Sequence, residues 1–138
     1  MKNQRLQAGR WLAQSLHELD VARLMLREGF HAYACFYSQQ GSVMALKSLA
    51  YLRGDRYVIG HSVIDLVKSL TDDFPEVARF KEAAGQLDRY YLTTRYPDAL
   101  PGGVPYEAFH EKEATAAVDA AASVVEFART IVAGASGG

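Results

Sequence analysis

The first half of the chain is two runs of helix-period apolar residues, joined by a junction too short to do anything but reverse direction. Leu12, Leu16, Leu19, Ala22 and Leu26 recur at helical steps, which sets them on one face of a helix from about Gln4 to Arg27. Trp11 lies beside that stripe, and Glu28-Gly29 supplies the stop. From Phe30 to about Arg53 a second helix carries Tyr33, Phe36, Tyr37, Val43, Met44, Leu46, Leu49 and Ala50 before Arg53-Gly54-Asp55 ends it. A junction as short as Gly29 makes the pair antiparallel. A chain that begins this way is committed to helix-on-helix packing.

The remainder continues in kind. Gly60-His61-Ser62 opens a short third helix with Ser62 as its cap and Ile64, Val67 and Leu70 facing inward. Pro75 suits the first turn of a fourth helix, expected to run to about Arg95 with Leu87, Tyr91 and Thr94 inward behind Phe80 and Ala84. The long loop Tyr96–Glu107 holds Pro97, Pro101 and Pro105. A last helix is expected from about Phe109 to Val132, with a stripe rich in alanine that permits close approach. No strand signature or internal repeat is present. The expected architecture is all-α: an up-and-down four-helix bundle with one extra short helix. It occupies a single domain over residues 1–132, and residues 133–138 form a flexible Gly-rich tail.

Composition narrows the function classes. A net charge of -1 supplies no global basic field, so nucleic-acid binding requires a local patch or several assembled chains. The one cysteine, Cys35, sits among Tyr33, Ala34, Phe36 and Tyr37, and reads as a buried thiol. It excludes an intramolecular disulfide and a cysteine metal cluster. The histidines fall at no metal-site spacing, so no metal or cofactor is expected. No apolar run is long enough to cross a bilayer, and the expected compartment is the cytoplasm.

Two stretches carry possible chemistry. Asp88, Tyr91 and Arg95 lie along nearly one line of the fourth helix. Pro97 stops that helix and pushes Tyr96 to extended geometry, so Arg95, Tyr96 and Asp98 are delivered at its C-terminal mouth. A cation there is favoured by the helix dipole. The plain alternative is a capping surface arginine followed by a loop. The second stretch is Arg56 to His61: an imidazole can move the proton of a 2′-hydroxyl while a guanidinium stabilises the phosphorane charge. Inside the bundle, Asp20, Gln40 and Lys47 interrupt apolar surface. Either Asp20 and Lys47 pair across the antiparallel helices with Gln40 nearby, or Lys47 snorkels to the rim. Tyr33, Phe36, Tyr37, Tyr90, Tyr91 and Tyr96 gather on the second and fourth helices, as a self-association face or as ordinary core.

From about Trp11 to Val132 the chain resembles the HEPN domain family (higher eukaryotes and prokaryotes nucleotide-binding). The marks are Trp11-Leu12 with Asp20-Val21-Ala22, then Phe36-Tyr37-Ser38-Gln39-Gln40 leading to Ala45-Leu46-Lys47-Ser48-Leu49. His61-Ser62-Val63 with Leu66 follows, and then Leu87-Asp88-Arg89-Tyr90-Tyr91 leading to Arg95-Tyr96-Pro97-Asp98. Val43 stands where family members carry a glutamate, and Arg56–His61 lies earlier than the Arg/His motif of the ribonuclease branches.

The resemblance implies a dimerising helical bundle, often encoded with a minimal nucleotidyltransferase as a toxin–antitoxin pair. The reading that follows is a homodimeric nucleotide- or partner-binding module. Arg95 would contact phosphate, Tyr91 and Tyr96 would stack or offer hydroxyls, and Asp88 and Asp98 would orient Arg95 or hold a ribose hydroxyl. His61 would join them if the third helix starts against that mouth. The alternatives are a metal-independent endoribonuclease toxin, using His61 with Arg56 or Arg95 on RNA, and a non-catalytic structural dimerisation protein.

Overall fold

The computed structural model describes the backbone of residues 2–137. Its elements are α1 (Lys2–Arg27), α2 (His31–Arg53), α3 (Val63–Leu70), a 3-10 helix (Pro75–Phe80), α4 (Lys81–Asp88), α5 (Tyr90–Thr93), a 3-10 turn (Pro97–Ala99), α6 (Pro105–Ala108) and α7 (Glu111–Gly137). Every element among the described residues is helical, as the apolar periods require. None of these helices is long and apolar enough to cross a membrane.

α2 is the axis of the molecule. Cys35, Gln39, Ser42, Leu46 and Leu49 share one stripe of it and are all fully buried. The antiparallel α1 packs against α2 at Gly41, where an added Cβ would meet Glu18 Cβ at 3.4 Å and the Ser15 carbonyl oxygen at 3.5 Å. Small residues make that approach possible. Ser15, Ser38 and Ser42 are fully buried, and each hydroxyl donates back to its own helix, to the carbonyls of Leu12, Ala34 and Ser38. Gly54 ends α2 at φ 115, a left-handed conformation that only glycine adopts without strain. α7 lies against α1 and α2 through Ala114, Ala117, Ala121, Val124, Val125 and Ala128, whose small side chains let its backbone come close.

Three expectations are corrected. The fourth helix is broken into the 3-10 helix, α4 and α5. At the break the Arg89 N–H turns to the nearer carbonyl of Gln86 at 3.2 Å. Thr93 and Thr94 hydroxyls then donate to the carbonyls of Arg89 and Tyr90, each at 2.6 Å. The buried line there is Leu87, Tyr90 and Thr94, and Tyr91 is turned out of it.

Asp20 and Lys47 form no pair. Asp20 is exposed, while the Lys47 ammonium lies 5.3 Å from the centre of the Trp11 ring. Burial alone pushes the Lys47 pKa down, with no carboxylate beside it to hold it up. The aromatic ring takes the place of the expected acid.

At the other end, α7 starts at Glu111, because Phe109 is extended at φ -118 and ψ 137. Its backbone stays helical past Val132 to Gly137, and Gly138 lies outside the described residues.

Candidate functional site

Asp88, the last residue of α4, anchors the site. Its carboxylate accepts hydrogen bonds from the Ser62 hydroxyl at 2.8 Å, the Val63 N–H at 2.7 Å, the Ile64 N–H at 3.1 Å and the Gln39 amide at 3.3 Å. Val63 and Ile64 open α3, so an acid from another helix satisfies its free N–H groups and complements its dipole. Ser62 adds a local cap by accepting from the Asp65 N–H at 3.1 Å.

Gln39 reaches the same point from α2. Its side-chain N–H₂ donates to the His61 carbonyl at 2.6 Å as well as to Asp88. Gln40 donates to the Gln39 side-chain oxygen at 2.7 Å, which leaves the amide nitrogen facing His61 and Asp88. The polar network is therefore part-buried and consists of Gln39, Gln40 and Asp88, rather than Asp20, Gln40 and Lys47. Sequence reasoning missed Gln39. The signal was its place on the fully buried stripe of α2, where an amide needs a partner.

One turn beyond Asp88, Tyr91 stacks on the exposed ring of His61, with centroids 4.9 Å apart and planes 14° from parallel. The α4–α5 segment thus grips the start of α3 twice, by its backbone and by its imidazole. Just past α5, the Arg95 guanidinium lies 4.6 Å from the centre of the Phe36 ring and 5.1 Å from that of Tyr96. It donates to the Tyr96 hydroxyl at 3.0 Å, and among the described residues it has no carboxylate at ion-pair distance. Tyr96 is extended at φ -119 and ψ 121, as the following proline requires.

The sequence-nominated residues divide accordingly. His61, Tyr91 and Asp88 are brought together, and Arg95, which lies over the Phe36 ring, also meets Tyr96. Asp88 does not touch Arg95, and exposed Asp98 forms no side-chain hydrogen bond. Arg56 stands exposed on the α2–α3 loop. The groove of about 290 Å³ beside His61 is lined by Asp55, Tyr57, Ile59, Ser62 and Asp65, among others, and not by Arg56. No group of three or more His, Cys, Asp or Glu side chains converges to hold a metal among the described residues.

Known proteins carry the same frame. An HEPN domain model matches residues 8–131. The TT1696 protein from Thermus thermophilus is 40% identical in its crystal structure, with a TM-score of 0.83 over 90% of this chain and 97% of that one. An archaeal HEPN homologue is 30% identical, with a TM-score of 0.75 over 91% of this chain and 98% of that one. An HEPN domain protein from Thermotoga maritima is 27% identical, with a TM-score of 0.71 over 90% and 98%. No curated protein matches the chain. With nearly the whole helical frame matched, the chain belongs to the HEPN domain family.

Proposed function

We propose that this chain is a homodimeric HEPN module that binds a nucleotide through the mouth of α5, acting with a minimal nucleotidyltransferase in a toxin–antitoxin type system. The observation that carries the reading is Arg95. It is an exposed cation close to two aromatic rings, with a tyrosine hydroxyl as partner and, among the described residues, no acid at ion-pair distance. A guanidinium fixed in that way offers its planar fork to phosphate oxygens with little further ordering. Tyr96, which is 48% exposed, leaves a ring face for a base to meet. The dimer and the nucleotidyltransferase partner rest on family likeness.

The test is a thermal-shift series with ATP, ADP, AMP, GTP and a short RNA, with and without magnesium. Ligand at 100 times its dissociation constant stabilises the native state by about 2.7 kcal/mol, a shift of several degrees at this size. A nucleotide-specific shift that disappears in Arg95→Ala supports the reading. Flat melting curves with every ligand reject it and direct attention to a protein partner.

A second reading, a metal-independent endoribonuclease, is favoured by one observation. The exposed His61 imidazole rests on Tyr91, four positions before Arg95, and Arg56 does not line the groove beside His61. RNA cleavage that persists in chelator and vanishes in His61→Ala supports this reading, and clean wild-type protein that leaves RNA intact rejects it.

A further inference from the structure

We propose that Gln39 and Asp88 are positioning residues for His61, and that neither touches ligand. The inference rests on the nucleotide site proposed above and adds His61 to it, through the Tyr91 stack four positions before Arg95. Its starting point is the capacity of a carboxylate. An ionised carboxyl offers about four lone-pair sites, and Asp88 already accepts from the Ser62 hydroxyl, the Val63 and Ile64 N–H groups and the Gln39 amide. Nothing is left over for a ribose hydroxyl or for Arg95. The amide of Gln39 is equally committed, since it donates to Asp88 and to the His61 carbonyl while its oxygen accepts from Gln40.

These bonds fix where His61 sits. Its backbone is tied at 2.6 Å to a fully buried side chain on α2, the most enclosed helix. The next residues are tied to Asp88 at the end of α4. Tyr91, in the same segment as Asp88, then receives the imidazole face. An exposed histidine on a loop that leaves Gly60 at φ 108 would otherwise be free to swing. Asp88 ties the loop to the segment that carries Tyr91, and Gln39 ties both to the core. His61 is thereby presented to a ligand in one orientation, and the ordering is done by folding instead of binding.

The experiment follows the His61 ring by NMR in the intact protein. In the wild type its carbon-bound imidazole protons are expected upfield because of the Tyr91 ring, and Tyr91→Leu defines their position without the stack. Gln39→Leu, similar in volume, and Asp88→Asn are expected to move the resonances towards the Tyr91→Leu position, with native helical content retained. Gln39→Met also removes both donations, and its flexible side chain adapts to the same space, so it serves if either variant fails to fold. Wild-type His61 resonances in a folded Gln39 variant would overturn the proposal.

Affinity for the nucleotide found in the thermal-shift series separates this proposal from the reading beneath it. Loss of one charge-assisted contact's worth of ordering should weaken binding about tenfold in Gln39→Leu. A moved ring with unchanged affinity upholds the positioning role and rejects His61 as part of the ligand site.

Discussion

The Arg95 guanidinium rests on the Phe36 ring, its central carbon 4.6 Å from the ring centre, and so joins the exit of α5 to α2. The contact holds an exposed cation that has no acid at ion-pair distance among the described residues, so little of the fold depends on it. Arg95→Ala is expected to lower stability by less than about 1 kcal/mol, the size of an exposed cation–π contact. Phe36→Leu is expected to weaken nucleotide binding about tenfold through the loosened guanidinium. Urea unfolding and calorimetric titration read the two effects. An Arg95→Ala protein that fails to fold would make the arginine structural.

Lys47 gives a pH signature. Its pKa is lowered by burial, so the unfolded chain holds that proton at pH values where the folded chain has released it. Stability therefore rises with pH between the lowered folded pKa and the ordinary lysine value of about 10.4. Below that window the full penalty of a buried ammonium is present, offset in part by Trp11. Lys47→Met removes the titration. Measured from pH 7 to 10 by urea unfolding, the wild type should gain on the variant as pH rises; a constant difference would mean that the ammonium is solvated in the native state.

Cys35 should be inert in the native state. Burial first, and the nearby Glu113 charge second, push its pKa up to about 12. Against an ordinary thiol near 8.5, thiolate at pH 8 is depleted by about three orders of magnitude. Ellman's reagent is expected to label it only as the protein unfolds, with a rate that follows denaturant. Rapid labelling of folded protein would place the thiol in solvent contact.

Gly41 sets how closely α1 and α2 approach. A methyl there meets Glu18 Cβ at 3.4 Å, an ordinary contact, and no other neighbour comes nearer. Gly41→Ala is expected to be neutral or to stabilise by up to about 1 kcal/mol, from helix propensity. Gly41→Leu must push the helices apart and should cost about 1–3 kcal/mol. Thermal melts of both variants decide it; equal behaviour would mean that the seam is loose.

The long helices were legible because their apolar stripes run for many turns and need only a partner of the same kind. Leu12, Leu19 and Ala22 on α1, and Ala117, Ala121 and Val124 on α7, are buried where their spacing puts them. The α4–α5 region was harder, because adjacent tyrosines offer two inward lines. Tyr90, at 3% exposure, took the core, and this freed Tyr91 for His61. The contacts among the candidate-site residues were not legible in the sequence. Gln39 and Asp88 are separated by 49 positions, and only the packing of α2 against α4 makes them partners. Lys47 shows the limit of pairing by sign: the sequence offered an acid, and the fold supplied an aromatic ring.

The capping of α3 by Asp88 has a consequence for how the protein comes apart. The Val63 and Ile64 amides depend on a side chain 25 and 24 positions away, while α1 and α2 are tied along their whole length. On the other side of α4, a groove of about 810 Å³ separates it from α7. The start of α3 is thus held by one distant side chain, and in Asp88→Asn the Val63 and Ile64 amides are expected to exchange with deuterium before those of Leu46 or Leu49. The first turn of α3 is in that sense docked rather than self-supporting, with one carboxylate as its latch.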